Sequence, residues 1–172
     1  MKTVGRILRL IDAISDRTGF AVSFLLLVSM VVVLYEISVR YVFNVSQTWA
    51  PEMSIFPFGA AIALGGAYTL LHKGHVRMDI FYSRWSPKAQ AAMDIATFVV
   101  FLGFIGVLLW FGTQSLLIAI ELGEKSESAW RPVIWPIRLM IPLGALLMLL
   151  QGLAGFTRNV LTLAGKETFG ER

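Results

Sequence analysis

Hydrophobic residues in this chain form four long runs that are separated by short polar segments. In the second run, residues 53–71, none of the 19 positions is Asp, Glu, Lys, Arg or His. In the third run, residues 95–120, 26 consecutive positions are uncharged. An α-helix rises about 1.5 Å per residue, so such runs cross the roughly 30 Å hydrocarbon layer of a bilayer. The pattern predicts an all-α integral membrane protein with four transmembrane helices in a single domain, residues 1–172.

The polar segments between the runs set the predicted boundaries. Pro51 suits the first turn of the second helix, where its missing N–H is not needed, and Pro57 is expected to kink that helix. The predicted segments are an amphipathic helix at 1–17, transmembrane helices at 18–43, 51–71, 91–120 and 133–157, connections at 72–90 and 121–132, and a tail at 158–172.

The first 17 residues have two faces. The apolar face consists of Val4, Ile7, Leu8, Ile11 and Ile14. The opposite face consists of Lys2, Arg6, Arg9, Asp12, Asp16 and Arg17. This pattern is typical of an interfacial helix on anionic lipid headgroups, and the alternative is that it begins the first spanning helix. The apolar run that follows is longer than the core of a signal peptide, so we expect the N-terminus to be retained.

Lysine and arginine are distributed unequally between the two predicted sides of the membrane. The N-terminal tail, the 72–90 connection and the C-terminal tail carry eleven of them, and the opposite side carries four. Short cytoplasmic segments are enriched in Lys and Arg. The bias therefore predicts cytoplasmic termini and a cytoplasmic middle connection, with Trp49, Trp130 and Trp135 in an aromatic belt on the other side.

Composition agrees with a membrane protein. Hydrophobic residues make up 56% of the chain and charged residues 15%, with a mean hydropathy of +0.71. The net charge is +4, but the basic residues lie at the ends of the apolar runs and form no single patch, which argues against nucleic-acid binding. The chain has no cysteine, which excludes disulfides and thiolate chemistry.

Glu36 and Arg40 are ionisable residues inside the first apolar run. They are four residues apart and share a helix face, and charged groups at membrane depth usually face protein or water. One interpretation is an intrahelical pair with Arg40 extended towards the headgroups. The other is that both residues, with Glu52, tie the first two helices together or bind a neighbouring subunit. A small-residue face on the second helix, which includes Gly59, Ala63 and Gly66, would let another helix approach closely.

His72, His75 and Asp79 have a spacing that formally allows a metal site. Lys73 and Arg77 lie among them and would repel a cation, and no predicted span contains the histidines that a haem would need. We therefore predict no metal and no cofactor, and interpret this connection as a basic segment facing anionic lipid.

The predicted spans contain few groups that could perform chemistry. Gln114 and Gln151 are expected to form hydrogen bonds between helices, and contact with a substrate is the alternative. The chain has no catalytic triad, paired catalytic carboxylates, phosphate loop or nucleotide-binding fingerprint. An enzyme is therefore not expected.

Several motifs together resemble a known family. They are YEISVRYVFN at 35–44, TWAPE at 48–52, GGAYTLL at 65–71, GHVRMD at 74–79 and IWPIRLMIPLG at 134–144. With the basic amphipathic start, they resemble the small membrane subunit, the DctQ-like Q subunit, of tripartite ATP-independent periplasmic (TRAP) transporters.

This resemblance implies a multi-pass protein of a bacterial inner membrane. In that family a periplasmic binding protein delivers an organic acid to a large membrane subunit, which contains the substrate and sodium sites, and the Q subunit serves as a scaffold. The implied partners are therefore the large subunit, the binding protein and membrane lipid. The resemblance places structural or interface residues at the outer side (Glu36, Arg40, Trp49, Glu52) and at the inner side (His75, Arg77, Asp79).

Two other functions are compatible with four spans. A self-contained exporter or channel, acting as an oligomer, would need a carboxylate near the middle of a span, and Glu36 lies near the end of its run. A redox anchor subunit would need haem ligands inside the bundle. We therefore favour the scaffold subunit.

Overall fold

A computed structural model of the chain contains four long helices. It describes residues 2–72 and 85–164. The helices are α1 (Lys2–Phe43), α2 (Ala50–Leu71), α3 (Pro87–Glu121) and α4 (Trp135–Leu163). All four are long and apolar enough to cross a membrane. This confirms the predicted fold class, an all-α membrane protein with four spanning helices.

Helix α1 is continuous from the basic amphipathic segment through the first apolar run. Its 42 residues extend about 63 Å at 1.5 Å per residue, roughly twice the thickness of the hydrocarbon layer. A large part of α1 therefore lies beyond that layer. The helix ends at Phe43, and Asn44 follows with a φ of 55°, a left-handed conformation that asparagine tolerates at helix ends.

Helix α3 has a defined signal at each end. The Ser86 hydroxyl accepts a hydrogen bond from the Ala89 N–H at 3.3 Å, with Pro87 in the first turn, so the serine caps the helix. At the other end Gly123 has a φ of 56°. The Gly123 N–H donates to the Ile120 carbonyl at 3.2 Å and the Glu124 N–H to the Ala119 carbonyl at 3.0 Å, the two bonds of a Schellman motif. Glycine suits this position because it has no Cβ to strain.

The helices pack as a row in the order α1, α2, α4, α3. Helix α1 packs along α2, α2 along α4, and α4 along α3, and a shorter contact joins α1 to α4. The two central helices therefore have neighbours on two sides. The two outer helices, α1 and α3, each leave most of their circumference uncovered by this chain.

Each outer helix is attached along one narrow stripe with a seven-residue period. The buried residues of α1 are Leu8, Ser15, Val22, Ser29 and Glu36. The buried residues of α3 are Ala91, Ile105, Gly112 and Ala119. A seven-residue period is the pattern of a coiled-coil seam, in which one helix contacts one neighbour. Apart from the charged first 17 residues of α1, the other faces of both helices are exposed and mostly apolar, which suits contact with lipid or with another membrane protein.

The central pair, α2 and α4, packs through small residues. A Cβ added to Gly144 would overlap the backbone carbonyl group of Ala63, and one added to Gly66 would lie 2.5 Å from the Met148 sulfur. Gly59 lies opposite Ile137 on the same side of α2. Small residues let helix backbones approach closely in lipid, where dispersion contacts drive helix association. The small-residue face predicted on α2 is thus the face that α4 covers.

Candidate functional site: polar clusters at the two ends of the bundle

Polar side chains gather at the two opposite ends of the bundle, where the helices begin and end. The Glu36 end comprises residues 36–52 and 121–138, and the Asp12 end comprises residues 12–16, His72, Asp94 and 151–159. Between them the buried residues of the described chain are Val22, Ser29, Ala60, Ala61, Ala67, Ile105, Gly112, Ala119, Gly144 and Ala145. Ser29 is the polar one, and its hydroxyl donates to the Ser54 carbonyl at 2.6 Å.

At the Glu36 end, Glu36 and Arg40 form an ion pair one turn apart on α1. The Arg40 guanidinium donates to Glu36 Oε1 from its amino group at 2.5 Å and from Nε at 3.1 Å. The Glu36 residue is buried, whereas about half of the Arg40 side chain is exposed. The pair therefore places its negative group inside the bundle and its positive group at the surface.

Glu36 also contacts the connection between α1 and α2. The Ser46 hydroxyl donates to Glu36 Oε1 and the Gln47 N–H to Glu36 Oε2, both at 3.4 Å. Next to these groups the rings of Tyr35 and Trp49 stack with centroids 5.8 Å apart. The structure thus shows an intrahelical pair that also holds the α1–α2 connection in place.

Glu52, in the first turn of α2, is a second buried carboxylate at this end. It is 8% exposed, and its Oε1 accepts a hydrogen bond from the Ser126 hydroxyl in the α3–α4 connection. Its Oε2 is buried without a hydrogen-bond partner among the described residues. A carboxylate in the first turn of a helix is favoured by the helix dipole, and this one also joins α2 to the connection 74 residues later.

The α3–α4 connection is folded against the helix ends. The Ser126 N–H donates to the Pro132 carbonyl at 2.8 Å, and the Ile134 N–H donates to the Glu124 carbonyl at 3.1 Å. The Arg138 guanidinium, from α4, donates to Glu124 at 2.6 Å and to the Ser115 carbonyl at 3.1 Å. Arg138 thus ties α4 to both α3 and its connection.

At the Asp12 end, a chain of hydrogen bonds joins α1 to α4. The Ser15 hydroxyl donates to Gln151 Oε1 at 2.9 Å, and the Gln151 amide donates to Asp12 Oδ1 at 3.1 Å. The Arg158 guanidinium donates to Asp12 Oδ2 at 2.5 Å. Ser15 and Gln151 are almost fully buried, so each must find a partner inside the protein.

Two further contacts complete the Asp12 end. The His72 ring lies 3.2 Å from the Asp16 carboxylate, with both side chains at least half exposed. The Asn159 amide donates to Asp94 at 3.2 Å, which joins α4 to α3. The remaining predicted site residues, His75, Arg77 and Asp79, lie outside the described residues.

The sequence did not single out several members of these clusters as site residues. Ser15, Asp12 and Arg158 belong to the Asp12 end, and Ser126 and Arg138 to the Glu36 end. The signal that could have found them is the presence of Gln151 and Arg138 within an apolar run, because a polar group in lipid needs a partner. Gln114, in contrast, is exposed on α3.

The arrangement is suited to holding helices together. Within residues 2–72 and 85–164, no three His, Cys, Asp or Glu side chains lie close enough to hold a metal ion. The polar groups at the two ends mostly bond to one another across helices. The middle of the row is apolar, and its central pair, α2 and α4, is closely packed.

Comparison with known proteins agrees with this architecture. The family model described as tripartite ATP-independent periplasmic transporters, DctQ component, matches residues 29–162, which is more than half of the chain. A comparison with curated proteins returned no match. The matched region begins inside α1 and includes the rest of the row up to the last turn of α4. The chain therefore belongs to the DctQ-component family of TRAP transporters and is a small membrane subunit of such a transporter.

Proposed function

We propose that this chain is a static scaffold for the large membrane subunit in the sodium-coupled uptake of an organic acid. In this proposal a periplasmic binding protein delivers the organic acid, and the complex lies in a bacterial inner membrane. The chain itself binds neither the solute nor the coupling ion. Its task is to hold the large subunit at a fixed depth and tilt.

The observation that carries the proposal is that most polar groups at the two ends pair with one another around an apolar middle. Substrate sites of secondary transporters lie near the bilayer midplane and are formed by broken helices and exposed polar groups. Here α2 and α4 continue through Pro57 and Pro142 without a break. The buried residues between them are small and apolar. Such a row is rigid and offers a solute no chain of polar groups within the described residues.

The row also supplies the surface that a scaffold needs. Because α1 and α3 are each attached along one stripe, their other faces are free to contact a larger membrane protein. A helix face in lipid gains affinity for another helix from packing and from occasional hydrogen bonds. Exposed Gln114, on α3, is one group that could form such a bond.

Uptake measurements test this function. Vesicles that contain the complete transporter are compared with vesicles that lack only this chain, using a panel of radiolabelled organic acids and an inward sodium gradient. We expect the gradient-driven signal to disappear without this chain, because the large subunit loses its support. The purified chain alone is expected to neither bind nor move any acid of the panel. Solute flux through vesicles that contain this chain alone would contradict the proposal and favour a self-contained exporter or channel.

The proposed orientation places the Glu36 end in the periplasm and both termini in the cytoplasm. The chain has no cysteine, so single cysteines can be introduced as reporters. We expect Glu127→Cys to react with a membrane-impermeant maleimide in intact spheroplasts, and His75→Cys to react only after permeabilisation. The measurement is labelling of the purified chain detected by mass shift. Labelling of His75→Cys in intact spheroplasts would show that the chain has the opposite orientation.

A further inference from the structure

An apolar groove lies between α1 and α2, in the half of the bundle nearer to the Glu36 end. Its volume is about 530 Å³, and it is open along one side. The residues that line it are Leu26, Ser29, Met30, Val33, Leu34, Ser54, Ile55 and Phe58.

The two serines of the lining do not make the groove polar. The Ser29 hydroxyl donates to the Ser54 carbonyl at 2.6 Å, and the Ser54 hydroxyl donates to the Pro51 carbonyl at 2.7 Å. Both hydroxyl hydrogens are therefore used inside the protein. The occupant that this wall favours is a flexible hydrocarbon.

A cationic group stands at one end of the groove. Leu26, Val33 and Arg40 follow one another at intervals of seven residues on α1, so they lie on one face of the helix. About half of the Arg40 side chain is exposed, and its second amino group has no partner among the described residues. Because the Glu36 residue is buried, the exposed end of this ion pair is positive and has free N–H donors for a phosphate.

The distance along α1 from Arg40 to Leu26, at the far end of the groove, matches the thickness of one leaflet of a bilayer. Leu26 precedes Arg40 by 14 residues, which is about 21 Å along the helix. Half of a bilayer that measures about 40–45 Å with its headgroups is about 20–22 Å. A phosphate at Arg40 would therefore let an acyl chain reach Leu26.

We propose that the α1–α2 groove is a binding site for one glycerophospholipid, with an acyl chain between the two helices and the phosphate at Arg40. The site combines an apolar groove with an exposed guanidinium group, and the distance between them is the thickness of one leaflet. A transmembrane helix of a partner would fill the slot but would leave the Arg40 amino group without an anion. The bound lipid would fill the gap between α1 and α2 with the hydrocarbon that the protein lacks there.

Native mass spectrometry of the full-length chain in mild detergent tests the proposal. The probes are palmitoyl-oleoyl phosphatidylethanolamine, the corresponding phosphatidylglycerol and, as a ligand without phosphate, the diacylglycerol with the same chains. We expect the chain to retain one phospholipid, and the diacylglycerol to bind at least about tenfold more weakly, which corresponds to about 1.4 kcal/mol. Equal retention of the two phospholipids and the diacylglycerol would show that the phosphate does not contribute to binding.

Substitutions in the groove separate this site from lipid that coats the whole surface. Ile55→Trp places a large ring in the slot from α2, and Met30→Trp does so from α1. The matched control is Val100→Trp, at a position on α3 that is 75% exposed and does not line the groove. We expect each groove variant, and also Arg40→Gln, to weaken phospholipid binding about tenfold or more, with no change for Val100→Trp.

Retention of phospholipid by monodisperse Ile55→Trp and Met30→Trp at the level of the unsubstituted chain would reject the site. If these variants also lose the large subunit on copurification, the groove is a protein interface. Monodispersity in size-exclusion chromatography shows that each variant is folded before it is compared.

Discussion

Replacing Gly144 with valine is expected to prevent α2 and α4 from packing and thereby to abolish assembly of the helix row. The Cβ that any other residue adds here would overlap the carbonyl group of Ala63. Backbone atoms of a packed helix cannot rotate away as a side chain can. The two central helices would have to separate along their shared face, and both outer helices depend on that pair. The yield of monodisperse protein in size-exclusion chromatography measures the effect, and we expect it to be nearly lost.

Glycines elsewhere in the chain provide the control and a graded comparison. Gly106 is also in the middle of a spanning helix, and a Cβ added there meets no atom of a neighbouring element within 4 Å among the residues that the structure describes. Gly106→Val should therefore leave the yield close to that of the unsubstituted protein. At Gly66 an added Cβ meets the Met148 side chain, whose flexible thioether can move. Gly66→Ala should accordingly fall between the two, with an overpacking cost of about 1–3 kcal/mol.

Equal yields for Gly144→Val and Gly106→Val would show that α2 and α4 do not meet at this point. That result would also remove the basis for a rigid row. The comparison is informative because both substitutions introduce the same β-branched residue into an apolar helix. Differences in helix propensity therefore cancel, and the neighbouring backbone is the variable that changes.

Removing Arg158 is expected to have the second-largest effect, because it leaves a partly buried carboxylate without its cation. Arg158→Leu breaks the 2.5 Å bond to Asp12. Breaking a fully buried pair in this way costs about 3–5 kcal/mol. Since Asp12 and Arg158 are each about a quarter exposed, water offsets part of the loss, and we expect about 1–3 kcal/mol. The free energy of unfolding in mixed micelles is the quantity to measure.

A double-mutant cycle distinguishes the ion pair from general damage to α4. Asp12→Asn with Arg158→Leu removes both charges and keeps an oxygen that accepts from the Gln151 amide, so the double variant should be more stable than Arg158→Leu alone. Arg9→Leu is the control, since the Arg9 Nε donates to the Gly5 carbonyl of its own helix. If the double variant shows the sum of the two single losses, Asp12 and Arg158 do not stabilise the protein as a pair.

Gly144 lies in the central contact between α2 and α4, and Arg158 lies at the Asp12 end, which ties α1 to α4. The Glu36 end ties the α1–α2 connection to α1 and the α3–α4 connection to α2 and α4. In the proposed scaffold role, the helices of this chain must resist sliding against one another. The polar bonds at both ends of the bundle and the small-residue contact between α2 and α4 resist this sliding. Each of them forms at one relative position of the two helices that it joins.

The sequence by itself determined the number of spanning helices and several local features. Runs of 18 or more uncharged residues indicate spans because lipid provides no partners for charges or for open backbone groups. The start of α2 could be read from Pro51, which the structure places in the first turn of that helix. The proximity of Glu36 and Arg40 followed from a spacing of four, because a helix places such residues on one face.

Only the tertiary structure decided the order α1, α2, α4, α3 and the partners across it. Asp12 and Arg158 are 146 residues apart, and nothing local to either one indicates the other. The sequence also does not distinguish Gly144, which contacts a backbone, from Gly106, which has no neighbour. The physical reason is that a membrane protein is apolar on both its packed and its lipid-facing sides. Hydrophobic pattern therefore shows that a helix crosses the membrane, but which face meets another helix depends on shape complementarity in three dimensions.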